Sequence, residues 1–311
     1  LGESGVDLMT ELQLKSRRSA KLFSLLLFLA VTTAVFASSS GSAPRKRVPR
    51  LIFPVVGPVS YTNDFGDPRA GGRHQGNDLM AAKKSPVVAV EAGKIKFWTH
   101  SASAGCMLYL YGRSGTMYEY IHLNNDRTMK NDNRGKCKRG IAYWKGLRNG
   151  AKVKAGQPIG YVGDSGDANG IASHLHFEVH PRGRSAVSPY RHLKRARTLL
   201  FAAPPRKRVT LTLEGTHLSA DTELSIVTMT VKSLKTSTRL KLKDLSRKVV
   251  LKLSSSTRIS DAYGDDLAPD SLGGLAPGSS IQIVTKRARA TLRMEMAKPR
   301  ALSVASVTIP G

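Results

Sequence analysis

Residues 173–180 read Ser-His-Leu-His-Phe-Glu-Val-His, and the alternation in that stretch decides how the chain is read. A strand points successive side chains to opposite faces. Leu175, Phe177 and Val179 then face a core, while His174, His176, Glu178 and His180 share the other face. Other short runs have the same β texture: Pro86 to Val90, Lys94 to Thr99, Ile159 to Val162, and Cys106 to Tyr111 with Thr116 to Ile121. The last two flank Gly112-Arg113-Ser114-Gly115, a hairpin turn by composition. No segment sustains a 3.6-residue period, so the expectation is all-β with an antiparallel sheet. Asn124 to Ala151, rich in Asn, Lys, Arg and Gly, reads as a long loop.

Two further motifs lie upstream of the histidine strand. In Gly72-Arg73-His74-Gln75-Gly76-Asn77-Asp78-Leu79 a histidine precedes an aspartate by four positions, and Tyr120-Ile121-His122-Leu123 ends the hairpin's second strand. Imidazole and carboxylate both suit Zn²⁺, and two histidines with one aspartate leave a fourth position for water. Closed structural zinc sites usually have four protein ligands, and two cysteines, Cys106 and Cys137, are too few and badly spaced to supply them. An open site points to catalysis.

Taken together, HxxxD, YxHL and HLHFE, in that order, resemble the M23 (lysostaphin/LytM-like) zinc metalloendopeptidases. The resemblance covers roughly residues 51–195, including PVVAVEAGKI and GQPIGYVGDSG. It implies His74, Asp78 and His176 as zinc ligands, and His122 with His174 as the pair that handles the water and the transition state. Which of the two is base and which is donor stays open. Glu178 either orients a ligand histidine or pairs with Arg182 or Arg184. His100, His180, His192 and His217 read as surface or packing histidines. Asp164 and Asp167 sit in a Gly-rich turn that either lines a substrate groove or is simply a turn.

Lys15, Arg17, Arg18 and Lys21 precede the apolar run Leu22 to Ala37, the layout of a secretory signal peptide over 1–37. Ser38 to Arg50 reads as a linker, 51–203 as the peptidase-like domain, and 204–311 as an accessory module. Short alternating runs such as Val209-Leu211-Leu213 and Val249-Leu251-Leu253 predict a small β-barrel or sandwich there. The chain has 49 Lys+Arg against 22 Asp+Glu, a net charge of +27. Removing the four basic and three acidic side chains of residues 1–37 leaves +26. A surface so positive attracts polyanions. Export argues against a nucleic-acid partner, and 6% aromatic residues without a stacking cluster argue the same way.

The expectation is therefore a secreted, extracytoplasmic enzyme (periplasm or cell wall) that hydrolyses peptide bonds of peptidoglycan. Anionic wall polymers are candidate partners for its basic surface, and membrane contact is confined to the signal peptide during export. The alternative is a non-catalytic wall-binding protein or an activator of another hydrolase. Cys106 and Cys137 could pair as a disulfide pinning the long loop to the sheet.

Overall fold

Branched and aromatic residues at alternate positions, broken by glycine turns, make strands the dominant element among the described residues, with almost no helix. The computed structural model describes residues 47–99, 101–203, 208–223, 225–238, 240–289 and 302–310. The expected signal peptide, most of the linker, His100 and the boundary at 204–207 lie outside the described residues. In the N-terminal half the strands are β1 (Pro68–Arg69), β2 (Gly72–Arg73), β3 (Asn77–Met80), β4 (Pro86–Val88), β5 (Gly93–Trp98) and β6 (Cys106–Gly112). β7 (Met117–Leu123), β8 (Lys152–Val153), β9 (Pro158–Tyr161) and β10 (His174–His180) follow, then one short helix, α1 (Tyr190–Lys194).

Six strands form an antiparallel sheet in the order β3-β10-β7-β6-β5-β8. One face is apolar as the alternation requires. Leu175, Phe177 and Val179 of β10, Tyr118 and Tyr120 of β7 and Leu108 and Leu110 of β6 are all fully buried. The β4–β9 ribbon contributes Val87 and Ile159 to the same core. Phe177 stacks on Tyr118 at 6.0 Å and meets Tyr120 edge-on at 5.3 Å. Each such ring stabilises the fold by about 1.5–3 kcal/mol through burial. The Tyr120 hydroxyl accepts the Val90 N–H at 2.9 Å, so its polar tip is not wasted inside the core. A rigid platform results, with the histidine face turned away from it.

The C-terminal half contains β11 (Arg208–Val209), β12 (Leu211–Asp221), β13 (Ile226–Thr236), β14 (Lys241–Leu242), β15 (Arg247–Lys252), β16 (Arg258–Asp261), β17 (Ser280–Thr285), β18 (Ala288–Arg289) and β19 (Val304–Ile309). Seven of them form a second sheet, in which β13 carries β12 on one side and both β14 and β15 on the other. β12 continues to β17 and β19, and a bridge from Lys252 to Ser303 brings the sheet back towards β15. One pair in this sheet is parallel, β16 with β19. The interior of this sheet, with Leu211, Met229, Val231 and Ile283, also takes in Ile52, Val56, Val88, Leu200 and Phe201 from the first half.

Candidate active site

Strand register assembles the site. β10 pairs with β3 so that His176 stands directly opposite Asp78, and both side chains leave the sheet on the polar face. His74 arrives from the segment just after β2, where its N–H donates to the Asp67 carbonyl at 2.9 Å. Close approach needs Gly76. A Cβ there would lie 2.5 Å from the Phe177 carbonyl oxygen and 2.8 Å from His176 Nε2.

Three donor atoms converge. His74 Nε2 lies 3.2 Å from Asp78 Oδ1 and 3.0 Å from His176 Nδ1, and His176 Nδ1 lies 3.0 Å from Asp78 Oδ1. Ligands about 2.0–2.1 Å from a tetrahedral ion stand about 3.3 Å apart, so the triangle has the size such an ion needs. Outer partners fix the tautomers. His74 Nδ1–H donates to the Asp64 carbonyl at 2.8 Å, and His176 Nε2–H donates to Glu178 Oε1 at 2.9 Å. The remaining lone pairs, His74 Nε2 and His176 Nδ1, face each other, which requires a cation between them: a proton or a metal ion. Without a metal, burial opposes charge on His176, but its bonds to Asp78 and Glu178 outweigh that and lift its pKa to about 9. Burial also raises the Asp78 carboxyl, and the bonds from His176 and His74 more than reverse it, to well below the usual carboxylate range. The same side chain is clamped on its other oxygen by Arg69, 3.0 Å from Oδ2.

His174 and His122 stand beside the triangle. Nδ1–H of His174 donates to the Ala172 carbonyl at 2.9 Å and that of His122 to the Ser165 carbonyl at 2.8 Å. Each ring therefore presents a bare Nε2, and the ring centroids are 5.1 Å apart. His174 Nε2 is 3.8 Å from Asp78 Oδ1. Burial, then the neighbouring His174, pushes His122 down to about 4, so it is neutral near pH 7.

His122 occupies this position against the alternation of its strand. Tyr118 and Tyr120 point into the core, and a regular strand would send His122 after them. Instead Cys106 pairs with Leu123 and Leu108 with Tyr120, so Ile121 and His122 together oppose Met107 in a bulge. His122 takes φ +59°, left-handed backbone that a non-glycine residue adopts at a cost of about 1–3 kcal/mol. Both Ile121 and His122 thereby line the cleft.

Glu178 bonds His176 rather than Arg182 or Arg184, and its other oxygen accepts His180 Nε2–H at 2.6 Å. His180, expected as a surface or packing histidine, is thus a hydrogen-bonding partner in the site's support. Its Nε2 also lies 3.4 Å from Glu119, which faces Glu178 across the β7–β10 pairing. Burial and the Glu178 charge raise Glu119 to about 7. Asp164 does not line the cleft. It is buried and ion-paired at 2.9 Å with Lys83, which also pairs with Asp126 at 2.5 Å. Asp167 does reach the cleft, 3.6 Å from His122 Nε2. Asp64, Arg69 and Glu119 carried no motif, and only the register and the β1–β2 hairpin bring them in. Cys106 and Cys137 are joined in a disulfide, with Cα atoms 5.1 Å apart.

The cleft above these groups has a volume of about 440 Å³, and Arg69, Asp167, Ala168 and Ile171 are among the residues that line it. Residues 72–189 match the model of peptidase family M23. An L-Ala–D-Glu endopeptidase of Bacillus subtilis (strain 168) is 29% identical over 152 residues, 45% of this chain and 41% of that protein. The match therefore spans less than half of that relative's length. Among solved structures, the catalytic domain of the antimicrobial peptidase lysostaphin from Staphylococcus simulans is 26% identical, covering 44% of this chain and 92% of that one, with a TM-score of 0.34. A zinc-containing peptidase from Vibrio cholerae is 23% identical over 50% of this chain and 41% of that one, with a TM-score of 0.33.

Proposed function

We propose that the M23 peptidase domain at residues 72–189 makes this chain a zinc-dependent endopeptidase acting on peptide bonds of bacterial peptidoglycan, outside the cytoplasm. The observation that carries this reading is the convergence of His74 Nε2, Asp78 Oδ1 and His176 Nδ1 at 3.0–3.2 Å, beside two histidines whose Nε2 atoms are free. Zinc bound by those three atoms supplies a Lewis acid for the scissile carbonyl and brings the pKa of water towards 7. The remaining tasks fall to His122 and His174. One accepts the proton of the attacking water on Nε2. The other, once it carries a second proton on Nε2 beside its Nδ1–H, donates to the oxygen that gains charge as the water oxygen bonds to the carbonyl carbon. When the C–N bond breaks, the leaving amine takes a proton from the same pair. Asp64 and Glu178 hold the ligand histidines in the required tautomers throughout.

The choice of substrate is supported by the likeness to an L-Ala–D-Glu endopeptidase and by the signal-peptide layout of residues 1–37. The net charge of +27 supports attraction to anionic wall polymers as well. The deciding experiment measures the metal content of the purified protein and the soluble peptides it releases from purified walls, with and without a chelator. One zinc per chain is expected, with release abolished by the chelator and restored by added zinc. A zinc-loaded protein that binds walls and releases nothing would instead establish the non-catalytic wall-binding alternative.

A further inference from the structure

Ser165 lies buried in the turn Gly163-Asp164-Ser165-Gly166, after β9. Its backbone carbonyl is the acceptor for His122 Nδ1–H. Its hydroxyl donates to the Leu123 carbonyl at 2.6 Å and accepts the Cys106 N–H at 2.9 Å. One residue thus fixes the His122 ring, holds the residue next to it, and ties both to the start of β6. The backbones around it are pressed together. A Cβ on Gly105 would lie 2.4 Å from the Gly166 nitrogen and 2.5 Å from the Ser165 carbonyl carbon. The His122 N–H donates to the Ala104 carbonyl at 3.2 Å, and the Asp167 N–H to the Ser103 carbonyl at 2.9 Å. Cys106 is anchored in turn by its disulfide to Cys137 in the long loop.

A left-handed, bulged histidine persists only where its surroundings over-determine it. We propose that Ser165 is a positioning residue for His122, and that the Cys106–Cys137 disulfide completes the frame that keeps His122 turned out of the core into the cleft. None of these frame contacts reaches the His74, Asp78 and His176 triangle, which is held by β3, β10 and the segment after β2. Loss of the frame should therefore separate turnover from metal binding. The inference rests on the reading that His122 takes part in hydrolysis.

The test compares full-length wild type with Ser165→Ala and with the double variant Cys106→Ser/Cys137→Ser. Zinc content, kcat and KM on a soluble peptide, and the imidazole Nδ1–H resonance of His122 in ¹⁵N-histidine-labelled protein are read for each. Misplacing a reacting group by about 1 Å costs about 100-fold in rate. In Ser165→Ala, kcat should fall about 10- to 100-fold with KM and zinc content unchanged, and the Nδ1–H signal should weaken through faster exchange. The cysteine double variant should move in the same direction. An unchanged kcat and Nδ1–H signal in a folded Ser165→Ala protein would overturn the proposal, as would zinc loss in step with kcat. If wild type itself hydrolyses nothing, the functional reading fails, while the Nδ1–H comparison still decides whether Ser165 holds His122.

Discussion

Replacing Glu178 should weaken metal binding although the residue does not belong to the donor triangle. Glu178 Oε1 accepts His176 Nε2–H at 2.9 Å, and the residue is only 8% exposed, so little solvent is available to take over the bond. A hydrogen bond involving a charged group contributes about 1.5–3 kcal/mol, and loss of such an outer partner typically costs 10–100-fold in metal affinity. The two scales agree, since a factor of ten is about 1.4 kcal/mol. Glu178→Ala should therefore raise the zinc Kd about 30- to 100-fold, and Glu178→Gln, which keeps a neutral acceptor, about tenfold. His180→Ala leaves the bond to His176 intact and should change Kd about threefold or less. Competition against a chromophoric chelator at fixed pH reads all three, with circular dichroism confirming the fold. An unchanged Kd in folded Glu178→Ala would show that Glu178 does not set the orientation of His176. A larger effect for His180→Ala than for Glu178→Ala would show that His180, and not Glu178, is the main support of His176.

Four more outcomes are expected. His176→Ala should lose both zinc and hydrolysis, whereas His174→Ala should lose hydrolysis and keep zinc; metal analysis of the two purified variants separates these roles. Thiol titration of the unreduced, denatured protein should find no free cysteine, and opening the bridge between Cys106 and Cys137, 31 residues apart, should cost about 3–4 kcal/mol in urea unfolding. Lys83→Met leaves the buried carboxylates of Asp126 and Asp164 without their cation and should cost about 3–5 kcal/mol at pH 7. Burial raises the Asp126 carboxyl, and the bonds from Lys83 and from the Asn133 and Asp132 N–H groups outweigh it and hold its pKa below the ordinary value, so that stability is lost as pH falls through the folded pKa; without Lys83 that loss on acidification should shrink, as urea midpoints across pH will show. Charge reversal at the exposed Lys232, Lys243 and Lys248 should reduce pelleting with purified walls at low salt and leave cleavage of a small soluble peptide intact, and equal pelleting across a salt series would remove a targeting role for this half. These substitutions test the role better than truncation at Ala203, which would bare Ile52, Val56, Leu200 and Phe201.

Where local pattern and environment agree, the fold was legible in the sequence. β10 alternates because one face is core and the other is the site, and the hairpin at Gly112–Gly115 carries its turn residues in plain view. Pairing partners are a different kind of information. Nothing in the run Arg258–Asp261 indicates a parallel neighbour, since the alternation is the same whichever way the next strand runs, and the β16–β19 pair follows from chain routing. The same applies to Asp164 and Lys83. Asp164 reads in sequence as a turn or groove residue and Lys83 carries no signal, and only the fold, across a separation of 81 positions, makes them a buried pair. For His180 the missing fact was register. Once Glu119 stands opposite Glu178, a half-buried and a buried carboxylate need a proton donor between them, and His180 is placed to be that donor.

His122 marks the limit most clearly, because there the correct motif and the correct period give opposite answers. The period places it with Tyr118 and Tyr120, in the core. An uncharged imidazole would be tolerated there at the cost of its unpaired nitrogens, but it could not reach a substrate. The chain resolves the conflict by spending one residue of the ladder. Two residues of β7 face one of β6, the backbone of His122 turns left-handed, and Leu123 returns to the core in register with Cys106. A bulge leaves a weak trace in sequence, since β-bulges re-aim side chains without requiring a particular residue. Its partners are long-range, too: the Ser165 carbonyl and the Ala104 carbonyl come from two other loops. The position of a catalytic candidate is thus set by a defect in the strand that carries it, and the defect is bonded by Ser165 and Ala104, which lie far from it in sequence.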